Sequence, residues 1–284
     1  MTVNWPDSLV REVAERRAII FVGSGISKSA HAPFPTWIDL LNQLSTKIAK
    51  NKDKALIGQL IRQGKLLDAA QIIHDGMPKA DLNSILRGIF QVRPVPHNEI
   101  YRDILQLDPK VIITTNYDEF IEKNFEHYSK RTEAHSISDH KSDKLLNDLR
   151  SPIRSIVKVH GCITDPSSLV LDRISYYNAR RDNPSIFSIM QSLMTVNTVL
   201  FLGYSMSDPD IQITLENINL NSPADHTHYA LVSKFEHASL RASLTGTYNI
   251  SFLEYPKGVH TAVPAAIQGL REAVMSFRSS RGIV

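Results

Sequence analysis

The sequence Lys110-Val-Ile-Ile-Thr-Thr-Asn-Tyr-Asp-Glu-Phe120 joins an apolar strand to the start of a helix through three polar positions. Residues 111–115 are apolar or β-branched, which is typical of a parallel strand that helices cover on both faces. A helical pattern begins near Phe120, after Asn116, Tyr117 and Asp118. Polar residues at such a junction lie at the carboxyl edge of a parallel sheet, where open α/β folds bind ligands.

Three further stretches have the same arrangement of an apolar run followed by small or polar residues. They are Ala18-Ile-Ile-Phe-Val-Gly-Ser-Gly-Ile-Ser27, Ile156-Val-Lys-Val-His-Gly161 and Val199-Leu-Phe-Leu-Gly-Tyr-Ser205. In the first, Gly23-Ser24-Gly25 would let the backbone approach a ligand closely, and the following helix would offer N–H groups to a phosphate. A tight turn without a ligand is the alternative. We expect all four strand ends to meet at one site.

The alternation of strands and helices predicts a Rossmann-like, doubly wound parallel sheet in a single α/β domain over residues 1–284. Short helices over residues 37–100 are predicted to form a helical insertion between the first and second strands, with Thr36 as the cap of its first helix. Residues 256–284 are predicted to hold a C-terminal helix and a basic tail, Arg278 to Arg281.

Five further predictions concern the segments outside these motifs. Residues 129–150 are polar and charged and are interpreted as a surface connection. Leu169 to Leu171 is a possible short strand, and Tyr176 to Thr195 is predicted to be helical. Residues 180–184, with two arginines and a proline, are interpreted as an exposed loop. Late strands are expected at residues 229–232 and 250–253.

The composition is that of an ordinary globular protein, with 42% hydrophobic and 21% charged residues. Thirty-two basic and 29 acidic residues leave a formal charge of +3, too small an excess to indicate nucleic-acid binding. Because Cys162 is the only cysteine, neither a disulfide nor a four-thiolate zinc site can form within one chain, and a reducing cytosol fits. We find neither a signal peptide nor an apolar run of membrane-spanning length. No metal is expected.

The order of the motifs resembles that of the sirtuins, which are NAD-dependent enzymes. The matching motifs are Gly23-Ser-Gly-Ile-Ser27, Thr115-Asn-Tyr-Asp118, His160-Gly161 and Gly203-Tyr-Ser205. Three stretches look more similar to bacterial sirtuin-like defence proteins that consume NAD than to deacylases. These are Pro35-Thr-Trp37, Ile113-Thr-Thr-Asn-Tyr-Asp118 and Leu200-Phe-Leu-Gly-Tyr-Ser-Met-Ser-Asp208. The resemblance covers roughly residues 10–255.

This resemblance implies an NAD site with NAD as substrate. It assigns catalysis to Asn116, which would hold the ribose and a water, and to His160, which would act as base. The implied NAD-binding residues are Gly23, Ser24, Gly25, Ser27, Thr115, Asp118, Gly203, Tyr204 and Ser205. The turn at residues 23–27 would hold the pyrophosphate, Asp118 the nicotinamide amide, and residues 203–205 the adenosine.

The chemistry of these side chains agrees with the implied roles. Histidine titrates near neutrality and can deprotonate a ribose hydroxyl or the attacking water. Asparagine offers both a donor and an acceptor, so Asn116 can position that water without adding charge. Purely structural interpretations exist as well: Asn116 as a helix cap, Asp118 as a charge at a helix start, His160 as a hydrogen-bonded strand end, and residues 205–208 as a turn.

The resemblance therefore predicts an NAD⁺ glycohydrolase of antiphage defence, which depletes NAD in the cytoplasm. It also implies a homo-oligomer and a regulatory partner, such as a HerA-like ring ATPase or a short Argonaute, without direct nucleic-acid or membrane binding. Two other functions are considered: a non-catalytic sensor of NAD or ADP-ribose, and a protein deacylase. The missing zinc cysteines of deacylating sirtuins disfavour the deacylase. NAD and NADP are both compatible with the motifs.

Overall fold

A computed structural model describes residues 3–129, 135–141, 144–206, 208–221 and 226–283. Residues 130–134, 142 and 143 of the predicted surface connection, and Ser207 of the fourth motif, lie outside these ranges. Within them, seven strands form one sheet. The strands are β1 (Ala18–Val22), β2 (Val111–Thr114), β3 (His135–Asp139), β4 (Arg154–Lys158), β5 (Thr198–Leu202), β6 (His228–Ser233) and β7 (Ile250–Tyr255).

Helices cover both faces of this sheet. They are α1 (Asp7–Ala14), α2 (Ser24–Ala30), α3 (Trp37–Ser45), α4 (Asn51–Arg62), α5 (Leu66–Asp75), α6 (Lys79–Phe90), α7 (Glu99–Gln106), α8 (Phe120–Tyr128), α9 (Leu145–Arg150), α10 (Arg173–Asp182), α11 (Pro184–Val196), α12 (Pro209–Asn221), α13 (Ala238–Tyr248) and α14 (Ala262–Arg281). No described helix has the length and apolarity to cross a bilayer.

The strand order is β3-β4-β2-β1-β5-β6-β7, and every adjacent pair is parallel. The chain builds outward from β1 on one side and then returns to β5 on the other, so the topology switches between β1 and β5. The predicted Rossmann-like, doubly wound sheet is confirmed. The four sequence motifs follow β4, β2, β1 and β5, the four adjacent strands around this switch.

Alternate strand residues enter two cores, one on each face of the sheet. Ile20 and Leu200 pack with α1, α14 and the helices over residues 37–107. Phe21 and Phe201 pack on the opposite face with α11, α12 and β7. All five residues of β1 and of β5 are buried, which explains their uninterrupted apolar sequences.

The helices α3 to α6 occupy the span of the predicted insertion between β1 and β2. Thr36 caps α3 as expected: its side chain accepts from the Asp39 amide, and the Asp39 carboxylate accepts from the Thr36 amide. Apolar residues from this span belong to the same core as β1, so these helices pack on the sheet.

Two strand predictions were wrong. Strand β3 lies within the predicted surface connection and pairs with β4 at the edge of the sheet. Its sequence His-Ser-Ile-Ser-Asp lacks an apolar run because an edge strand with one buried residue does not need one. Residues 169–171 form no strand; the Val170 amide instead donates to the His160 carbonyl at 3.1 Å, next to the sheet.

Two helix predictions were also wrong. The predicted helix over residues 176–195 is two helices that break at Asn183, since the residue before Pro184 avoids the helical conformation. Arg180 and Arg181 accordingly belong to the last turn of α10 rather than to a loop. The predicted basic tail is the end of α14, where Arg278 donates to the carbonyls of Ala14 and Leu107 at 2.9 and 3.0 Å.

Candidate active site

Three glycines join the ends of β1 and β5 at the topological switch. The Gly25 amide donates to the Gly203 carbonyl at 2.9 Å, and a Cβ on Gly23 would lie 2.4 Å from the same oxygen. Gly203 has a φ of +61°, which favours glycine. Close backbone packing therefore requires these glycines. The Ile26 amide donates to the Gly23 carbonyl at 3.1 Å, so two of the first amides of α2 are engaged within the protein.

Ser27 connects the end of β1 to the end of β2. Its Oγ donates to Asp118 Oδ2 at 2.9 Å, accepts from Asn116 Nδ2 at 3.0 Å and lies 3.2 Å from the Tyr101 hydroxyl. All four side chains are buried. The structure thus brings the predicted residues Ser27, Asn116 and Asp118 into one hydrogen-bonded group, with Tyr101 as a member that the sequence did not indicate.

The backbone at Asn116 is fixed by the last residue of β2. Thr114 Oγ1 accepts from the Asn116 amide at 3.0 Å and donates to the Val22 carbonyl at 2.7 Å. The Asn116 side chain is 6% exposed, and its amide group faces Ser27. Asn116 is therefore held from two strands, as a residue that positions a ligand needs to be.

A buried ion pair lies beneath the segment of residues 116–118. Lys158, 1% exposed, donates to the Asp118 carbonyl and to Glu122 Oε1, the latter at 2.7 Å. Burial alone would lower the pKa of Lys158, but the charge of Glu122 and its neighbours raises it above the ordinary value. Burial raises the pKa of Asp118, and the Lys158 charge partly opposes that rise.

Thr114 of β2 pairs with Lys158 of the adjacent strand β4. Asn116 and His160 each lie two residues beyond this pair, so they follow the ends of neighbouring strands. The His160 ring is 5% exposed and meets the Tyr176 ring edge-on, with the centroids 4.9 Å apart. Its Nε2 lies 3.5 Å from Asp208 Oδ2, which also accepts from the Tyr176 hydroxyl at 2.8 Å. Burial lowers the pKa of His160 below its ordinary value, while the charge of Asp208 acts in the opposite sense.

Two aspartates at the start of α12 share this region. Asp208 Oδ1 accepts from the amides of Asp210 and Ile211 at 2.9 and 3.3 Å, so it caps the helix. Asp210 is 4% exposed, and neither of its carboxylate oxygens has a hydrogen-bond partner among the residues that the structure describes. Burial, followed by the charge of Asp208, raises the pKa of Asp210 to about 7, although Arg180 opposes this with Nε 3.4 Å from Oδ1.

The remaining predicted residues lie at the same edge of the sheet. Ser24 and Thr115 are half-buried and Ser205 is exposed. The Tyr204 ring packs on Phe21 with the centroids 4.7 Å apart, and its buried hydroxyl has no hydrogen-bond partner within the described part of the chain. Tyr204 is thus part of the core as much as of a ligand site.

Aromatic rings cover His160, one of the two catalytic candidates. Trp37 of α3 stacks on Tyr176 at a centroid distance of 6.5 Å, and Tyr176 in turn contacts His160. Among the cavities of the described chain, one of about 200 Å³ reaches Asp210 and Arg180 between α10, α11 and α12. Another, of about 530 Å³, is lined by Arg93, Pro94, Val95, His97, Glu119, Lys123, Glu126 and His127.

Sequence reasoning missed the partners of His160. Asp208 ends the fourth motif, and its position after β5 was the available signal, although it was interpreted only as a turn and cap. Tyr176 and Arg180 come from α10, which packs across the edge of the sheet, so their sequence carries no such signal. Asp210 is separated from Asp208 by one proline, so it also follows β5 at the carboxyl edge of the sheet.

Comparison with known proteins agrees with the resemblance to sirtuins. Residues 110–253 match the family described as SIR2-like domain. The Bacillus subtilis protein named defense-associated sirtuin 2 is 27% identical over 72% of this chain and 20% of its own length. The Bacillus cereus protein named NAD(+) hydrolase ThsA is 28% identical over 80% of this chain and 45% of its own. An Acinetobacter baumannii protein of that name is 25% identical, over 86% and 48%.

The chain thus spans half or less of the length of these curated relatives. Among solved structures, cytosolic 5'-nucleotidase IIIB bound to cytidine aligns over 96% of this chain and 94% of its own. Its TM-score of 0.36 and 11% identity are too low to carry a conclusion.

Proposed function

This chain belongs to the SIR2-like domain family, and from that premise we propose that it hydrolyses NAD⁺ to nicotinamide and ADP-ribose. The observation that supports the proposal most is the placement of Asn116 and His160. Both are buried at the ends of adjacent strands, beside the switch between β1 and β5 where such sheets bind nucleotides. Two of the relatives described above carry the name NAD(+) hydrolase, which agrees with the proposed activity.

The reaction breaks the bond between C1′ of the ribose and the nicotinamide nitrogen. The bonding electrons stay with nicotinamide, which leaves as a neutral molecule, and the ribose develops positive charge. Water then adds its oxygen to C1′ and loses a proton. In the proposal, neutral His160 accepts the proton from that water or from a ribose hydroxyl, and Asn116 fixes the position of the water.

The other residues of the site would bind and orient NAD⁺. Asp118 accepts hydrogen bonds from Ser27 and from the Phe120 amide, and each carboxylate oxygen has capacity for one more donor, such as the nicotinamide amide. Ser24 and Ser27 at the start of α2 would face the pyrophosphate, Thr115 the ribose edge, and residues 203–205 the adenosine. The amides of Gly25 and Ile26 are engaged within the protein, and the Ser27 hydroxyl donates to Asp118, so the Ser24 hydroxyl is the more available donor of that turn.

Substrate entry requires the side chains over His160 to separate, because both catalytic candidates are at least nine-tenths buried. Helix α10 carries Tyr176, and it contacts α5 and α11 through few residues compared with the sheet pairs. Displacement of α10 would expose His160 while leaving the strand ends in place. A requirement for such opening would keep the enzyme inactive in a healthy cell.

The biological setting belongs to the same proposal. The name of one relative, defense-associated sirtuin 2, connects it to defence, and depletion of NAD⁺ by an activated enzyme would halt an infected cell. We place the chain in the cytoplasm, as a homo-oligomer that a partner activates, with a HerA-like ring ATPase or a short Argonaute as the kinds of partner that the resemblance implies.

The test is chromatography of nicotinamide and ADP-ribose after incubation of the purified chain with NAD⁺. Asn116→Ala and His160→Ala are the test variants. Asn51→Ala and His74→Ala, at solvent-accessible positions of α4 and α5 and away from the site, are matched controls. We expect release from wild type and both controls and none above background from the test variants. Equal release from all five proteins would refute the site assignment. Tight NAD⁺ binding without any release would favour the sensor function.

A further inference from the structure

Three side chains that commonly bind metals meet at the carboxyl edge of the sheet. They are His160 after β4 and Asp208 and Asp210 at the start of α12. One ligand atom from each lies within 4.8 Å of the other two, and the residues are 5%, 6% and 4% exposed. The expectation of no metal rested on the cysteine count, which says nothing about a site built from histidine and carboxylates.

The separation between His160 Nε2 and Asp208 Oδ2 fits two ligands of one ion. At 3.5 Å it exceeds the usual length of a hydrogen bond between nitrogen and oxygen, about 2.7–3.2 Å. In a tetrahedral zinc site with bonds of about 2.1 Å, neighbouring ligand atoms are about 3.4 Å apart. The pair therefore needs little movement to hold a cation, and Asp210 needs a side-chain shift of about 1 Å to complete the set.

Asp210 supplies an independent indication of a ligand. Both of its carboxylate oxygens are buried, and neither has a hydrogen-bond donor among the described residues. Native proteins rarely leave a buried carboxylate in this state, because removing it from water without a hydrogen bond is costly. Its oxygens are therefore available to coordinate a cation.

The charges around the site also leave room for a cation. Asp208 and Asp210 carry two negative charges when ionised, and the charged group that faces them from α10 is Arg180. Its Nε stands 3.4 Å from Asp210 Oδ1, beyond hydrogen-bond length, and its side chain is 46% exposed. The Arg180 side chain can therefore adopt a rotamer in solvent, and an ion can then bind beside Asp210.

The surroundings of Asp208 resemble the outer shell of a metal site. The Tyr176 hydroxyl and the amides of Asp210 and Ile211 donate to its two oxygens, which fixes the carboxylate orientation. The cavity of about 200 Å³ lined by Arg180 and Asp210 gives an ion a path to Asp210.

We propose that His160, Asp208 and Asp210 bind one divalent cation of the zinc class, in competition with Arg180 for Asp210. One imidazole and two carboxylates suit Zn²⁺ better than Mg²⁺, which prefers oxygen ligands alone. A consequence follows if the proposed hydrolase function holds. A ring that holds Zn²⁺ at Nε2 cannot accept a proton at that nitrogen, and the charge of the ion disfavours protonation of the other one, so the ion would inhibit the reaction.

The deciding experiment is a Zn²⁺ titration of the full chain against a chromophoric chelator. The test variants are Asp210→Asn, which removes a ligand, and Arg180→Gln, which removes the competing cation. His127→Ala, from the stacked surface pair His97 and His127, is the control for adventitious binding. We expect one tight site in wild type and in the control, affinity at least about tenfold weaker in Asp210→Asn, and tighter binding in Arg180→Gln.

Equal affinities in wild type and both test variants would overturn the proposal and assign the zinc to surface histidines. The Arg180 variant keeps the test decisive if Asp210→Asn fails to fold. Substitution of Co²⁺ provides a second readout, since a tetrahedral site gives visible absorption that Asp210→Asn should lose. Because these readouts do not involve NAD⁺, they test the cation site independently of the proposed function, and the two can fail separately.

Discussion

Replacement of Lys158 by Met tests the ion pair that supports the segment of residues 116–118. Met has a similar length and no charge, so the variant leaves Glu122 and the Asp118 carbonyl buried without their donor. At 2.7 Å and an effective dielectric constant of about 20, the Lys158–Glu122 attraction is about 6 kcal/mol. Desolvation offsets part of this, and loss of one partner of a buried pair costs about 3–5 kcal/mol.

We expect the melting temperature of Lys158→Met to fall by roughly 6–10 °C, since about 2 °C corresponds to 1 kcal/mol in a chain of this size. The double variant Lys158→Met/Glu122→Leu removes both charges and should recover most of that loss. Circular dichroism during thermal and urea unfolding measures both. The exposed pair of Lys257 and Glu236 is the control, and Lys257→Met should change stability by less than about 1 kcal/mol.

A loss below about 1 kcal/mol in Lys158→Met would mean that water reaches the pair, and the reasoning would fail. A double variant that is no more stable than the single one would show that packing of the lysine stem, not charge, carries its effect. The proposed function adds a second readout, because release of the segment that bears Asn116 should reduce nicotinamide production even where the fold persists.

Three further changes test the account elsewhere. Gly203→Ala should destabilise the chain by at least about 2 kcal/mol in urea unfolding, because its φ is +61° and a Cβ would lie 2.5 Å from the Ile26 amide nitrogen; an unchanged midpoint would contradict the close β1–β5 packing. Gly88→Ala, in the exposed interior of α6 with nothing within 4 Å, should stabilise by about 0.5–1 kcal/mol, and a loss would contradict that environment. Burial lowers the pKa of His228 to about 4, and its Nδ1 accepts from the Val199 amide. The folded state therefore favours the neutral ring, and its stability is complete above pH ~6.5, the pKa of an unfolded histidine. As the pH falls from there through 4, the free energy of unfolding should decline by up to about 3 kcal/mol. His228→Gln should flatten that decline, and an identical pH profile would assign it to other groups.

The central strands were predictable because burial on both faces requires an uninterrupted apolar sequence. Runs such as Ala18–Val22 and Thr198–Leu202 carry that signal, and the polar residues after them follow from the geometry of a parallel sheet. Strand β3 has no such run because it lies at the edge. Its pairing depends on backbone hydrogen bonds to β4, which leave no trace in the side chains.

Contacts between distant segments could not be predicted in the same way. Tyr176 reaches Asp208 because α10 crosses the sheet edge, and Arg278 reaches the end of α1 because α14 runs beside it. A residue's own sequence neighbours do not encode such meetings. The glycines are a further case: Gly23 and Gly25 were interpreted either through a ligand or as a tight turn, and the sequence did not indicate the close contact of each with the Gly203 backbone.

The most direct test of the proposed hydrolase is the rate of nicotinamide release by His160→Ala relative to wild type at saturating NAD⁺. Loss of a general base lowers a rate by about 10²–10⁴-fold. We predict a decrease of at least about 100-fold, with the folded state of the variant verified by circular dichroism. A decrease of less than about threefold in a folded variant would contradict the assignment of His160 as the base.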